Sequence, residues 1–420
     1  MPLPYDGSIA KARFRLGEAV MAEMFAGCAG PVGLPGQEGV FFAGRRVASI
    51  DGTVFDAKPT PENLAGFKVP GGGELPQVRM VALAECGTMA LLGAEFDSIG
   101  VDERTLVERL LNRFTPGMLV LADRGFPSYK LWRDAVATEA DLAWRVSASF
   151  TLPMIERLAD GTYLSELRGG KKSERITVRV VEYSVQDADT GISEVFALIT
   201  TLTDPVAYPA LELARLYACR WQVETLFKIL KVEIRQSHAV LRSKSPAMVR
   251  QELWGLLCCY QAVRLVAARA GGEAGIDITR IRFPEVLDAV RDSIALAFSP
   301  CTLAKALRDL ATELPRMLIR KRPDRSTPRV LRRPGRGWPT RKPDTPRTRA
   351  VDRELIVHRI PAPPPTTEPM TGPTPEPTHR VPSRPANSDR RPPKRKDPPR
   401  PHQPAASTRA NRRTGAPTPS

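Results

Sequence analysis

The chain has 420 residues, 42% of them hydrophobic and 6% aromatic, which is enough for one large domain or two small ones. Its formal net charge of +16 arises after Arg320, where 24 Lys and Arg face 8 Asp and Glu, so the first 320 residues are electrically balanced. Those 320 residues contain a single histidine, His238, which argues against zinc hydrolases and Ser–His–Asp hydrolases.

The cysteines and the N-terminus indicate the compartment. The six cysteines form no C-x-x-C pair and lie mostly in apolar segments, so we expect reduced thiols in a cytosolic protein. The opening residues, MPLPYDGSIAKARF, lack a basic and then apolar signal pattern, and the longest apolar region, 253–260, is too short to cross a membrane. We therefore expect a soluble intracellular protein with no membrane contact.

The first third of the chain alternates strands and helices. Residues 11–25 predict a helix, residues 46–50 a short strand that ends in Asp51, and residues 78–85 and 89–96 a hairpin. A helix at 105–114, a buried strand at 118–122 that ends in Asp123 and a helix at 128–138 follow. This order predicts an α/β fold with a mixed sheet flanked by helices, and both aspartates are expected at strand ends, where such sheets bind ligands.

The remainder divides into a β-rich part, a helical part and a tail. Residues 144–203 alternate in hydrophobicity, with strands predicted at 161–164, 175–184 and 195–201. Helices are predicted from residue 209 and at 246–268, 283–298 and 302–314. Beyond Arg320 the sequence consists largely of Pro, Arg, Thr and Ser, which cannot bury a core, so we expect this tail to be disordered.

The stretch YACRWQVETLFKILK, residues 217–231, predicts one uninterrupted helix. At about 100° per residue, one face would carry four polar side chains beside an apolar stripe: Tyr217, Arg220, Glu224 and Lys231. The simplest interpretation is an amphipathic helix with an Arg220–Glu224 pair at i, i+4. The two upstream aspartates favour a different interpretation, a shared site.

Asp51, Asp123 and Glu224 form a ligand set suited to a hard divalent cation. Mg²⁺ prefers carboxylate oxygens, and two such ions roughly 3.5–4 Å apart can activate an attacking oxygen and stabilise a leaving one in phosphoryl transfer. Arg220 and Lys231 are candidates for binding phosphate oxygens. Tyr217 could hydrogen-bond a phosphate or stack on a displaced base.

These motifs resemble those of the DDE transposases of the bacterial insertion-element-four family. Asp51-Gly-Thr is similar to the family's first conserved Asp, and Leu121-Ala-Asp123-Arg-Gly-Phe to the second. The spacing Tyr217-x₂-Arg220-x₃-Glu224-x₆-Lys231 matches its Y-R-E-K signature at every position. A β-rich insertion between the second Asp and the Glu is also a feature of that family. The resemblance covers about residues 10–315.

The resemblance implies a ribonuclease-H-like core and cut-and-paste DNA transposition, in which metal-activated water cleaves at the element's ends and a freed 3′-hydroxyl attacks DNA. It implies that Asp51, Asp123 and Glu224 hold two Mg²⁺, for which Mn²⁺ can substitute, and that Tyr217, Arg220 and Lys231 bind phosphates of the DNA end. Double-stranded DNA, as element ends and as target, and a second copy in a homodimeric synaptic complex are the implied partners. The implied location is the cytoplasm, in association with the nucleoid.

The expected organisation has five parts. They are a short N-terminal helical segment that is a reduced end-recognition region (1–45), the first part of the catalytic core (46–143), the β-rich insertion (144–204), the helical second part of the core (205–318) and the disordered basic tail (319–420).

Two features leave alternatives open. Only about fifty residues precede Asp51, fewer than is usual for the resembled family, so an inactive or truncated remnant that binds DNA non-specifically is one alternative. A nuclease of the same fold that cleaves but does not join DNA is another. The tail either supplies non-specific DNA affinity by counterion release or is read-through sequence without a role.

Overall fold

The computed structural model describes residues 6–147, 150–170, 174–187, 191–192, 195–235, 240–294, 300–319, 325–326, 349–350 and 353–359. The chain divides into two units, Met1–Pro363 and Pro364–Ser420, and all described residues belong to the first. His238 and the predicted helix end at residue 298 lie outside the described residues.

The described part of the chain is a mixed α/β structure. Its strands are β1 (Phe41–Phe42), β2 (Arg45–Ala57), β3 (Gln77–Glu85), β4 (Leu91–Ser98), β5 (Met118–Ala122), β6 (Asp141–Val146), β7 (Glu156–Arg157), β8 (Tyr163–Arg168), β9 (Arg175–Asp187), β10 (Gly191–Ile192), β11 (Phe196–Thr200), β12 (Val240–Leu241), β13 (Arg325–Ser326), β14 (Arg349–Ala350) and β15 (Arg353–Val357). Its α-helices are α1 (Asp6–Cys28), α2 (Pro61–Gly66), α3 (Glu103–Leu110), α4 (Tyr129–Val136), α5 (Ala210–Tyr217), α6 (Gln222–Lys228), α7 (Pro246–Ala274), α8 (Phe283–Ile294) and α9 (Pro300–Glu313).

One sheet runs through the molecule in the order β4-β3-β2-β5-β6-β11-β9-β8-β7. The strands β4, β3 and β2 are antiparallel neighbours, whereas β5 and β6 continue the sheet in parallel with β2. Three antiparallel strands followed by two parallel ones form the ribonuclease-H-like arrangement, so the predicted fold class is confirmed. The strands of the β-rich segment add to the edge of β6 and extend this same sheet.

Helices cover both faces of the sheet because its central strands are apolar on both sides. On β3, Met80 and Ala82 pack in a cluster with α7, whereas Val81 and Leu83 pack in the opposite cluster with α3 and α4. Asp102 and Ser128 are the N-cap residues of α3 and α4, and their side chains accept hydrogen bonds from the first-turn backbone. The sheet is therefore fixed from two sides, and the carboxyl end of β5 lies between the two layers.

The N-terminal helix α1 packs along α7. It is kinked at Gly17, whose φ of 75° lies in the left-handed region that favours glycine. At this kink, the side-chain amide of Gln251 on α7 donates to the carbonyl oxygen of Gly17. It also donates to the carbonyl oxygen of Arg13, and both distances are 2.8 Å. The N-terminal segment is thus attached to the helical layer through specific polar contacts.

Most predicted elements of the first half agree with the structure within a few residues, and β5 has the predicted bounds, Met118–Ala122. The prediction that a strand ends at Asp51 was wrong, since β2 continues to Ala57. Antiparallel pairing with β3 extends as far as Asp56, so Asp51 lies in the middle of a strand. Gly52 and Thr53, which suggest a turn in the sequence, are ordinary strand residues here.

The tail contains a strand that the sequence analysis did not expect. β15 (Arg353–Val357) pairs antiparallel with β9 beside Tyr183 to Asp187, and His358 donates its backbone N–H to the Glu182 carbonyl oxygen at 2.8 Å. Leu355 and Val357 pack against the cluster that contains the apolar side of α5. The prediction of disorder from residue 319 onward was therefore wrong for this segment, because an open strand edge and an apolar surface stabilise it. Residues 360–420 lie outside the described residues.

Candidate active site

Asp51 and Asp123 are brought side by side by the parallel pairing of β2 and β5. The last pair in the register joins Ile50 to Ala122, so the next residue on each strand is an aspartate. Beyond this point β5 ends, whereas β2 continues with β3 as its partner. The two carboxylates therefore lie at the point where β2 and β5 stop pairing. For Asp123, which directly follows β5, the sequence analysis predicted this strand-end position.

The signature stretch is not one regular helix, which corrects the prediction for residues 217–231. It consists of the end of α5, a 3₁₀ turn (Ala218–Trp221), α6 and a π-helical turn (Ile229–Ile234). The backbone dihedral angles stay in the right-handed helical region at each junction, so the chain continues as a helix whose turns tighten and then widen. The Gly87 backbone N–H, in the β3–β4 turn, donates to the Gln222 side-chain oxygen within this stretch.

The guanidinium of Arg220 lies among the three carboxylates. Its Nη1 is 3.1 Å from Asp51 Oδ2, and its Nη2 is 3.8 Å from Asp123 Oδ2 and 3.6 Å from Glu224 Oε1. Arg220 is 4% exposed, whereas the side chain of Glu224 is 44% exposed. Four residues from three distant parts of the chain thus form one charged cluster that is buried on one side and open on the other.

Burial and neighbouring charges shift the pKa values of Asp51 and Arg220 in this cluster. Burial raises the pKa of Asp51, although the Gly52 N–H and the Arg220 guanidinium counteract it. Burial disfavours the charged form of Arg220, yet the pKa of Arg220 is raised by Tyr217 and the surrounding carboxylates. The cluster therefore keeps its arginine charged.

Tyr217 is buried, and its hydroxyl donates to the backbone carbonyl oxygen of Ala122 at 3.1 Å. Burial raises its pKa strongly. The hydroxyl thus connects the end of α5 to the residue before Asp123, which favours a positioning role in this state. Its predicted contact with a DNA phosphate stays a prediction.

Lys231 lies away from the carboxylate cluster, along the continuation of β2. Its Nζ is 5.2 Å from the ring centroid of Phe55, and the guanidinium of Arg235 is 5.7 Å from the same ring. A π turn rotates less per residue than an α-helix, because its hydrogen bonds span five residues, so Lys231 leaves the face of Glu224. Burial and the nearby Arg235 lower the pKa of Lys231.

Two neighbours of the site escaped the sequence analysis. Glu103, at the start of α3, covers Gly52 so closely that a Cβ on Gly52 would lie 2.6 Å from Glu103 Oε1. Arg235 lies one turn after Lys231, and that i, i+4 spacing is a signal that could have indicated it. Nothing in the local sequence connects Glu103 with Asp51, since the two meet only across the sheet.

The donor set suits a hard divalent cation, although the geometry is not that of a closed metal site. Three carboxylates without thiol or imidazole are the ligands that Mg²⁺ prefers. Across the described ranges, however, no three acidic, thiol or imidazole groups are near enough to one another to bind a single ion. The carboxylates surround the Arg220 guanidinium instead of a common point.

A family model connects this arrangement with known proteins. The model of the transposase DDE domain matches residues 42–262, slightly more than half of the chain, from β1 to the middle of α7. The chain belongs to the DDE transposase family. Its matched region includes both aspartates and the whole signature stretch.

One curated relative supports the same family. The transposase InsG for insertion sequence element IS4 of Escherichia coli (strain K12) is 26% identical over 356 residues, which cover 81% of this chain and 79% of the relative.

Two solved structures match parts of the chain at low identity. A piggyBac transposase synaptic complex with hairpin DNA is 13% identical, with a TM-score of 0.38, and the match covers 67% of this chain and 59% of that protein. The endonuclease V from Streptomyces avermitilis is 14% identical, with a TM-score of 0.22, and the match covers 50% of this chain and 93% of that protein.

Among the residues that the structure describes, no helix of the transposase is both long enough and apolar enough to span a bilayer.

Proposed function

We propose that this transposase cleaves DNA at the ends of its insertion element and joins the freed 3′-hydroxyl to target DNA. The observation that supports the proposal is the convergence of Asp51, Asp123 and Glu224 on a single guanidinium, within 3.8 Å of it. Their three elements are distant in sequence, and an ordinary helical ion pair would need only Arg220 and Glu224.

The carboxylates have the role of binding two divalent cations, Mg²⁺ or Mn²⁺. When bound, the cations would supply activation of the attacking oxygen and stabilisation of the leaving oxygen in phosphoryl transfer. Asp51 and Asp123 are fixed by the sheet, whereas Glu224 belongs to a helix and is half exposed. This combination provides two rigid ligands and one on the solvent side, where DNA enters.

Lys231, at the end of the signature stretch, and Arg235, just after it, have the role of binding the DNA backbone. Lys231 and Arg235 lie next to Phe55 on β2, four residues along the strand from Asp51. A strand that rises about 3.3 Å per residue places Phe55, which both cations approach, roughly 13 Å from Asp51. They would therefore contact phosphates near the scissile one.

Two DNA ends must meet for transposition, so the working form is expected to be a homodimer.

The test is strand cleavage of labelled DNA that carries the element's flanking ends, in Mg²⁺ and in EDTA. Wild type is compared with Glu224→Gln, and with Glu212→Gln as the matched control, because Glu212 is an exposed glutamate on α5. We expect metal-dependent cleavage by wild type and by Glu212→Gln, and a loss of at least about 100-fold for Glu224→Gln. Equal cleavage by all three proteins would contradict the role of Glu224.

A further inference from the structure

Arg220 contacts the proposed metal ligands in a way that differs from a structural arginine. Its guanidinium approaches three carboxylates, yet only the 3.1 Å contact with Asp51 is within hydrogen-bonding distance. Its buried Nε has no hydrogen-bond partner among the described residues. The guanidinium is therefore fixed mainly by charge and only weakly by directional bonds.

Arg179 provides the comparison within the same molecule. Its side chain is fully buried, and it donates from Nε to Thr162 Oγ1 at 3.0 Å and from Nη1 to the Tyr208 carbonyl oxygen at 2.7 Å. Its Nη2 pairs with Asp160. All three nitrogens of Arg179 are bonded, as expected for a guanidinium that stays in place.

The charge balance explains why a cation is needed at this position. Asp51, Asp123 and Glu224 all lie near the Arg220 guanidinium, and without a cation between them the three carboxylates repel one another. A guanidinium within 4 Å of each reduces that repulsion. Oxygens paired with Arg220 are, however, less available to a metal ion.

We propose that Arg220 is a placeholder cation: it holds the three carboxylates together in the metal-free protein and must leave them when divalent cations bind. This inference rests on the proposed function, since it assigns metal binding to the same carboxylates. Once displaced, the guanidinium is free to meet a DNA phosphate, so metal loading and DNA contact are coupled through one side chain.

The proposal makes a prediction about metal affinity that is independent of catalysis. Removing a competitor for the carboxylate oxygens strengthens metal binding, whereas removing a simple supporting group weakens it. For Arg220→Gln in the full-length chain without DNA, we expect Mn²⁺ to bind about tenfold more tightly than to wild type, which corresponds to about 1.4 kcal/mol. Free Mn²⁺ is measured by electron paramagnetic resonance and the binding heat by calorimetry.

Thermal unfolding supplies the second readout and the control. In EDTA, Arg220→Gln is expected to unfold at a lower temperature than wild type, and Mn²⁺ is expected to raise its Tm by more than it raises that of wild type. The matched control Arg179→Gln also removes a buried guanidinium, so its Tm falls in EDTA, but its metal-induced rise stays equal to that of wild type. If Arg220→Gln does not fold, Arg220→Lys replaces it, because lysine keeps the positive charge without the forked guanidinium. The Mn²⁺ affinity of Arg220→Lys is expected to exceed that of wild type by less than tenfold.

The outcomes separate this inference from the function on which it rests. Mn²⁺ affinity that is unchanged or weaker in the Arg220 variants overturns the placeholder role. If Glu224→Gln and Asp51→Asn also leave Mn²⁺ binding unchanged in every background, the carboxylates bind no metal and the proposed function itself fails. Metal binding that depends on the carboxylates but not on Arg220 leaves the function intact and rejects only the placeholder.

Discussion

Tyr217 donates its hydroxyl hydrogen to the carbonyl oxygen of Ala122 at 3.1 Å. Through this bond the first residue of the signature stretch is connected to the strand residue that precedes Asp123. The end of α5, from which the chain continues to Glu224, is thereby joined to the strand of Asp123 by a buried contact that involves no charged group.

Tyr217→Phe tests this positioning role. The change leaves a buried carbonyl without its donor, so we expect a loss of about 1–2 kcal/mol in the free energy of unfolding. Cleavage should also slow, because the approach of the two carboxylate-bearing elements loosens. Urea unfolding and single-turnover cleavage measure the two effects.

The control for that variant is Tyr260→Phe. The Tyr260 hydroxyl of α7 also donates to a backbone carbonyl oxygen at 2.7 Å, that of Met89 in the β3–β4 turn. It should lose at least as much stability without a matching loss of cleavage after correction for unfolded protein. A lower DNA affinity of Tyr217→Phe with an unchanged salt dependence would instead indicate a direct hydrogen bond to a phosphate, because a neutral hydroxyl releases no counterion.

The lowered pKa of Asp97 predicts that its contribution to stability depends on pH. Burial alone would raise its pKa, but hydrogen bonds from Arg109 and Arg250 outweigh burial and the pKa is lowered. A carboxylate with a lowered folded pKa stabilises the protein above its unfolded pKa, and that stabilisation is lost as the pH falls through the folded pKa. Asp97→Asn should therefore reduce stability at pH 7 by up to about 1 kcal/mol, and the difference from wild type should shrink as the pH falls below the unfolded pKa toward the lowered folded pKa.

Urea unfolding of both proteins between pH 3 and pH 7 checks this prediction. Glu212→Gln, at an exposed position, serves as the control and should show no such pH-dependent difference. A constant difference between Asp97→Asn and wild type across the whole range would mean that packing, and not charge, is responsible.

The strand β15 predicts that truncation effects depend on where the chain is cut. Removal of residues 353–420 exposes the β9 edge from Tyr183 to Asp187 and uncovers the side of α5 that contacts Leu355 and Val357. Removal of residues 361–420 leaves both covered. Hydrogen exchange of the β9 amides should be faster in the first truncation and unchanged in the second; equal protection in both would contradict the observed pairing.

The tail also predicts an electrostatic effect on DNA binding. The segment after Arg320 carries the whole net charge of the chain, +16, so its removal should lower non-specific DNA affinity and reduce the slope of affinity against salt concentration. Fluorescence anisotropy with unrelated duplex DNA at several salt concentrations measures both. An unchanged slope would indicate that the tail has no role in DNA binding.

The fold was largely predictable from the sequence because its central elements are encoded locally. The run from Met118 to Ala122 is a short apolar strand between turn signals, and Asp123 follows it directly. The position of Asp51 was harder to predict, since Gly52 and Thr53 resemble a turn although β3 keeps them in a strand. Glu103 covers Gly52, so the glycine is needed for close packing in that strand.

The sequence predicted that the three carboxylates and Arg220 lie together, but not the geometry of the stretch that carries two of them. The spacing of the signature identified Arg220 and Glu224, which are 3.6 Å apart, yet no periodicity indicated the 3₁₀ and π turns that redirect Lys231. The strand at Arg353–Val357 was missed for a related reason. Its apolar residues form a strand only because the edge of β9 is available, and composition averaged over the tail concealed them.

The most direct test of the account is strand transfer with pre-cleaved element ends that carry a free 3′-hydroxyl. Wild type with Mg²⁺ should join these ends to target DNA, and Asp123→Asn, tested beside the Glu212→Gln control, should not. That result would support transposition by the three proposed carboxylates. Wild type that cleaves intact ends but never joins pre-cleaved ones would contradict it and would indicate a nuclease of the same fold.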